Sequence, residues 1–263
     1  MNESPLLSLR AIKKSFGAVQ VLLGVDLDVR AGEVTALVGD NGAGKSTLIK
    51  CLAGIHQPNA GEILWEGQPI RIPNPKAASA VGIEFVYQDL ALCDNLDVVQ
   101  NMFLGRERKR GPFLDQDSME VAAREVLASL SVTTLKSVRQ PVASLSGGQR
   151  QSIAVARSVM WNSKLVVLDE PTAALGVAQT QQVLALVRRL AERGLAVILV
   201  SHNLEDVLSV SDGIAVLRLG RMVTQVRRED VNSGQLVELI TTGQIRGATP
   251  PADNHLNLRG EAH

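Results

Sequence analysis

Gly39-Asp40-Asn41-Gly42-Ala43-Gly44-Lys45-Ser46-Thr47 is the stretch on which the reading of this chain turns. It follows the short apolar run Glu33-Val34-Thr35-Ala36-Leu37-Val38, which reads as a buried strand. It precedes Leu48, Ile49, Leu52 and Ile55 at helical spacing, so a glycine-rich loop joins a strand to a helix. The glycines let successive backbone N–H groups curl around phosphate oxygens, and the following helix points its positive end at the same place. In such a loop Lys45 reaches the terminal phosphates of a nucleotide and Ser46 is placed to ligate Mg²⁺. The expectation is that Gly39, Asp40, Asn41, Gly42, Ala43, Gly44, Lys45, Ser46 and Thr47 bind a nucleoside triphosphate with its magnesium ion.

Further along, Leu165-Val166-Val167-Leu168-Asp169-Glu170 sets two carboxylates at the carboxyl end of a second buried strand, where open α/β sheets bind ligands. Asp169 is then suited to hold Mg²⁺, usually through water, and Glu170 to accept a proton from an attacking water. His202 follows the apolar run Leu195 to Ser201 and enters the same crevice, where an imidazole can donate to charge developing on a γ-phosphate. Leu145-Ser146-Gly147-Gly148-Gln149 opens another helix: Ser146 reads as its N-cap, and the two glycines give an anion access to backbone donors. His56, His255 and His263 have no comparable context.

Around these motifs the chain alternates strand and helix patterns, which implies an α/β fold with a mostly parallel, doubly wound sheet. Leu6 to Arg30 alternates apolar and polar residues and predicts an antiparallel N-terminal β subdomain. From about Gln88 to Trp161 the pattern is helical, with Met119, Ala122, Ala123, Val126, Leu127 and Leu130 forming one apolar stripe behind an Asp117-Ser118 cap. That stretch reads as an inserted α-helical subdomain. The expected organisation is one domain over 1–243, with its nucleotide-binding core and β subdomain in 1–87 and 162–242 and the helical part in 88–161. Residues 244–263, with Pro250-Pro251, read as a flexible tail.

Composition narrows the classes of function. Lys and Arg number 27 and Asp and Glu number 27 in 263 residues, so no cationic excess marks a nucleic-acid binder. The basic run Arg106-Glu107-Arg108-Lys109-Arg110 contains an acid and reads as a solvated face. The longest aliphatic run, Leu195 to Val200, is far short of the roughly 20 residues a membrane span needs. The start Met1-Asn2-Glu3-Ser4-Pro5 does not have the pattern of a secretion leader. Cys51 and Cys93 form no CxxC, which fits a reducing compartment.

Together the phosphate loop, Gln88 after a strand, Leu145 to Gln149, Asp169-Glu170-Pro171-Thr172 and His202 resemble, in order and spacing, the ATP-binding cassette family of transport ATPases. The resemblance implies two copies facing head to tail, with ATP on one phosphate loop covered by Ser146, Gly147, Gly148 and Gln149 of the other. It also implies that Gln88 contacts the nucleophilic water or Mg²⁺ and relays closure to transmembrane permease subunits, and that Phe16 stacks on adenine. Gly82 to Gln88, Asn101 to Glu107 and Glu170 to Gly176 are similar to the bacterial monosaccharide-importer branch, of the ribose, xylose and fructose type. That branch works beneath a permease and a sugar-binding protein, at the cytoplasmic face of the cell membrane. Gly176 stands where most of the wider family has an Asp that reaches across the dimer. The alternatives are a soluble ATPase of the same fold uncoupled from transport, and an importer subunit for a nucleoside or a polyol.

Overall fold

A computed structural model of the chain describes residues 4–244; nearly all of the expected tail lies outside the described residues. Alternating side chains and tight turns pair β1 (Leu7–Phe16) with β2 (Val19–Val29). The chain then enters β3 (Val34–Val38), buried throughout, and after the glycine loop α1 (Lys45–Leu52). Ile55 falls outside this helix and is exposed, because the chain turns at Gly54, which has φ 71° and sits against the backbone of Ile72 and Asn74. β4 (Ala60–Trp65) and β5 (Gln68–Ile70) complete a four-stranded antiparallel sheet in the order β2-β1-β4-β5. Asn74 caps α2 (Pro75–Ala80) by accepting from the Ala77 N–H, and β6 (Ile83–Val86) follows.

The helical stretch then contributes α3 (Val98–Phe103), α4 (Gln116–Ser129) and α5 (Gly147–Ser158). It also holds a small hairpin of β7 (Lys109–Arg110) and β8 (Phe113–Leu114), turning at Gly111-Pro112, within the stretch whose sequence pattern reads as helical. The cap of α4 is Asp115, whose side chain accepts from Ser118 N–H, and not Asp117-Ser118. Asp115 lies one position before the first helical residue, so its carboxylate reaches the free first-turn donors, which Asp117, already inside the helix, does not. The expected stripe is otherwise present: Met119, Ala123, Leu127 and Leu130 are buried. The chain returns to the main sheet through β9 (Leu165–Asp169), α6 (Val177–Glu192), β10 (Ala196–Val200), α7 (Leu204–Val210), β11 (Gly213–Arg218) and β12 (Arg221–Arg227), and ends in α8 (Ser233–Thr242).

The six strands of that sheet run in the order β12-β11-β3-β10-β9-β6, all parallel except the β11–β12 hairpin. β3, β9 and β10 sit in its middle, which is why their sequences are apolar on both faces. One core, with Leu48, Ile49 and Leu52 of α1, joins the antiparallel sheet to one face of the parallel sheet. The other face packs on α5 and α6, and its core runs without a break into Val98, Met102 and Phe103 of α3 and Met119 and Leu127 of α4.

Candidate functional site

Because β3, β9 and β10 are parallel neighbours, their carboxyl ends lie side by side, and the loops that leave them meet in one cleft of about 560 Å³. Asn41, Gly42, Ala43, Gly44, Lys45, Ser46 and Thr47 line it, together with Gln88, Asp169, Glu170 and His202. Gly39 and Asp40 line an adjoining cavity of about 370 Å³ that shares Asn41 and His202. The carboxylates, the histidine and the glutamine singled out in the sequence are thus gathered around the phosphate loop.

The loop's glycines answer three different demands. A Cβ on Gly39 would lie 2.0 Å from the Leu217 carbonyl oxygen, and one on Gly44 would lie 2.9 Å from Leu22 Cδ2. Gly42, at φ 83°, has nothing within 4 Å, so the backbone there needs glycine for its conformation and leaves open space toward the cleft. α1 takes no side-chain cap, so its first-turn N–H groups are left for an anion. Lys45 is buried, and its Nζ donates to the carbonyls of Gly39 at 2.6 Å and Asp40 at 3.1 Å. Burial pushes its amine below the usual lysine value, against the opposing pull of Glu170, Asp40 and Asp169.

At the end of β9, burial and then the adjacent Glu170 carboxylate raise Asp169 above the ordinary carboxylate range, with Lys45 and Lys50 opposing. Burial and Asp169 likewise raise Tyr87. Glu170 is held with φ 53°, in the left-handed region, and its N–H donates to the Val200 carbonyl at 2.9 Å. A non-glycine residue in that region signals a position fixed by its surroundings. His202 Nδ1 lies 2.8 Å from Glu170 Oε2, so the imidazole stands directly beside the carboxylate.

Ser146, Gly147, Gly148 and Gln149 do not line the cleft. Ser146 caps α5 in a reciprocal capping box with Gln149, whose amide nitrogen also donates to the Thr134 carbonyl at 2.7 Å. Their glycines have a packing reason that the sequence does not show: a Cβ on Gly147 would come within 3.0 Å of Leu175, and one on Gly148 within 3.0 Å of Gln179. The turn therefore rests on the segment that runs from Glu170 into α6. Phe16 is also outside the cleft lining, at the end of β1, where it is 43% exposed and meets His56 edge-on.

The sequence reading missed a hydrogen bond that joins the loops carrying Glu170 and His202: Thr172 Oγ1 donates to Oδ2 of the buried Asp206 at 2.6 Å. Thr172 sits two residues beyond Glu170 and Asp206 four beyond His202, so it fastens the loop after β9 to α7.

A glycine loop between β3 and α1, faced by carboxylates from the next-but-one strand of the same sheet, defines an α/β phosphate-loop nucleotide-binding protein. Comparison with known proteins narrows this. The family model described as ABC transporter matches residues 22–173. The chain is 42% identical to the xylose/arabinose import ATP-binding protein of Sulfolobus acidocaldarius, over 91% of this chain and 95% of that protein. It is 44% identical to the fructose import ATP-binding protein of Rhizobium meliloti, over 92% and 95%. A ribose import ATP-binding protein of Escherichia coli O157:H7 is 41% identical, but the chain spans 47% of its length. Among solved structures, the ADP conformation of an ATP-binding cassette of an ABC transporter superposes with TM-score 0.78 at 25% identity, covering 92% of this chain and 97% of that one. A nucleotide-free cassette gives 0.76 at 27%, over 85% and 91%. The chain belongs to the ABC transporter family, as an ATP-binding member.

Proposed function

We propose that this chain is the ATP-hydrolysing subunit of a sugar importer, working as a head-to-tail pair beneath separate membrane permease subunits. The observation that carries the ATPase reading is the cleft, in which Lys45, the phosphate loop, Gln88, Asp169, Glu170 and His202 converge. The relatives that import xylose or arabinose, fructose and ribose support a monosaccharide as cargo. No helix among the described residues is long and apolar enough to cross a membrane, so the solute path is assigned to the permease and solute choice to a sugar-binding protein. We place the chain at the cytoplasmic face of the cell membrane as a peripheral subunit.

Each residue's task follows from its position. The open side of Gly42, the uncapped start of α1 and the Lys45 amine hold the β- and γ-phosphates, the amine exchanging its two carbonyl partners for phosphate oxygens. Ser46, Asp169 and Gln88 offer Mg²⁺ oxygen donors on one cleft. The described residues contain no cluster of three or more His, Cys, Asp or Glu that holds a metal unaided, which fits an ion that binds through one or two carboxylates plus substrate phosphates. When bound, Mg²⁺ would neutralise charge on the phosphates. Glu170 takes the proton of the attacking water, its backbone fixed by the N–H bond to the Val200 carbonyl and its carboxylate beside His202 Nδ1. His202, on the same cleft, is assigned to donate a hydrogen bond to charge developing on the γ-phosphate.

Ser146, Gly147, Gly148 and Gln149 face no nucleotide in their own copy, and we assign them to the ATP of the second copy, with Phe16 stacking on adenine. A helix start contributes about 0.3–2 kcal/mol toward a nearby anion, so ATP gripped at two such starts is needed to hold two copies together. The test is ATP-driven uptake of radiolabelled xylose, fructose and ribose into vesicles carrying the chain and its permease. Uptake is expected with the native chain and its loss, with ATP binding retained, in Glu170→Gln. Uptake that continues at the native rate in Glu170→Gln contradicts the reading.

A further inference from the structure

We propose that Arg157, at the far end of α5 from Ser146, is the positioning residue for Gln88, and through Gln88 for the attacking water. This rests on the ATPase reading above.

Gln88 lines the nucleotide cleft on a strap outside regular structure, since β6 ends at Val86 and α3 does not begin until Val98, and beside it the strap's own bond is the Ala91 N–H to Asp89 Oδ1 at 3.2 Å. Side chains of α5 tie this strap down at its middle. Arg157 donates from Nη2 to the Leu90 carbonyl at 3.0 Å and from Nη1 to the Ala91 carbonyl at 3.1 Å. Two turns nearer the helix start, Arg150 donates from Nη1 to Asp94 Oδ1 at 2.7 Å. From the other side the fully buried Asn101 accepts from Cys93 N–H at 2.7 Å and donates to the carbonyls of Cys93 and Asp97, each at 3.0 Å.

The geometry at Arg157 is specific to a guanidinium. Successive carbonyls of an extended chain point in opposite directions. Ala91 instead has φ 47°, a left-handed turn that lets the carbonyls of Leu90 and Ala91 face the same side. Alanine is strained there, and the planar fork of an arginine, with two parallel donors, matches the pair of oxygens that the strain creates. A lysine ammonium has no such fork. Arg157 is half-buried, and both of these acceptors are backbone, so its task is to hold the chain rather than to answer a carboxylate. The fork grips two and three residues beyond Gln88, close enough to set where its amide points. Because the same helix carries Ser146 to Gln149 at its other end, a displacement of that end moves Gln88 with it.

The test is the steady-state ATPase of the whole chain in four forms, native, Arg157→Gln, Gln88→Ala and the double variant, with Arg157→Lys and Glu170→Gln beside them. Arg157→Gln is expected to lower kcat about 10- to 100-fold, the scale of a misplaced catalytic group, while the KM for ATP moves less than about twofold. Arg157→Lys is expected to fall between native and Arg157→Gln, and it stands in for that variant if the latter does not fold. In the Gln88→Ala background the Arg157 substitution is expected to lower kcat no further, since the path runs through Gln88. Multiplying effects in the double variant, or an unchanged kcat in both single Arg157 variants, overturns the proposal. Native turnover in both Gln88→Ala and Glu170→Gln would instead overturn the ATPase reading, so the two failures are separable.

Discussion

Replacing Lys45 with Met removes the ammonium and keeps most of the apolar stem. In the native chain that ammonium is buried, satisfied by the carbonyls of Gly39 and Asp40, and surrounded by Glu170, Asp40 and Asp169. The role proposed for it is to exchange those neutral partners for phosphate oxygens, and a hydrogen bond to a charged group is worth about 1.5–3 kcal/mol net. At about 1.4 kcal/mol per tenfold, Lys45→Met is expected to weaken ATP binding about 10- to 150-fold. Burial already holds the amine below its usual pKa, which means the fold does not favour the charge. The variant is therefore expected to unfold at the same temperature as the native protein or higher. Calorimetric titration with Mg-ATP, beside a thermal melt without nucleotide, reads both quantities on one preparation. A folded Lys45→Met protein that binds ATP within about twofold of native refutes the assignment of Lys45 to the phosphates.

Two other perturbations bear on the same cleft. Asp169 has its pKa raised by burial and by Glu170, so the folded state binds its proton more tightly than the unfolded state. Stability contributed by this group falls as pH rises from the unfolded value of about 4 through the folded one. Asp169→Asn is thus expected to raise the melting temperature of the nucleotide-free protein at pH 7 and to lose that gain below about pH 4, where both states are protonated; melts across pH check it, and an equal gain at all pH values contradicts it. Thr172→Val removes the donor to the buried Asp206 carboxylate and is expected to cost about 1.5–3 kcal/mol, read as a lower urea midpoint at unchanged slope. A midpoint equal to the native one would mean that this bond does not hold the loop after β9 to α7.

What was legible in the sequence was what short spacing encodes. The phosphate loop, the strand ending in Asp169-Glu170 and the helix opened by Ser146 each declare themselves within about ten residues, because a turn, an apolar run and a cap are local choices. The parallel order of the main sheet follows from strand–helix alternation, whereas the pairing of β3 with β10 and β11 does not, since that depends on packing between distant segments. The hairpin of β7 and β8 escaped notice because each strand is only two residues long, although Gly111-Pro112 is a turn signal. The glycines at 147 and 148 read as anion access, and only the fold reveals Leu175 and Gln179 against them. Arg157 and Asp206 carry no motif, and Asn101 opens a stretch read only for its resemblance. Arg157 and Asp206 find partners far along the chain, and Asn101 finds its own in a loop whose path is set by tertiary packing.

The central claim is that one ATP is held between the phosphate loop of one copy and the Ser146 to Gln149 turn of another. Sedimentation velocity of the Glu170→Gln protein at saturating Mg-ATP measures this directly. The account predicts a dimer that forms with ATP, falls apart without it, and fails to form when Ser146→Arg is added; a species that stays monomeric at saturating ATP, or a dimer indifferent to Ser146→Arg, contradicts it.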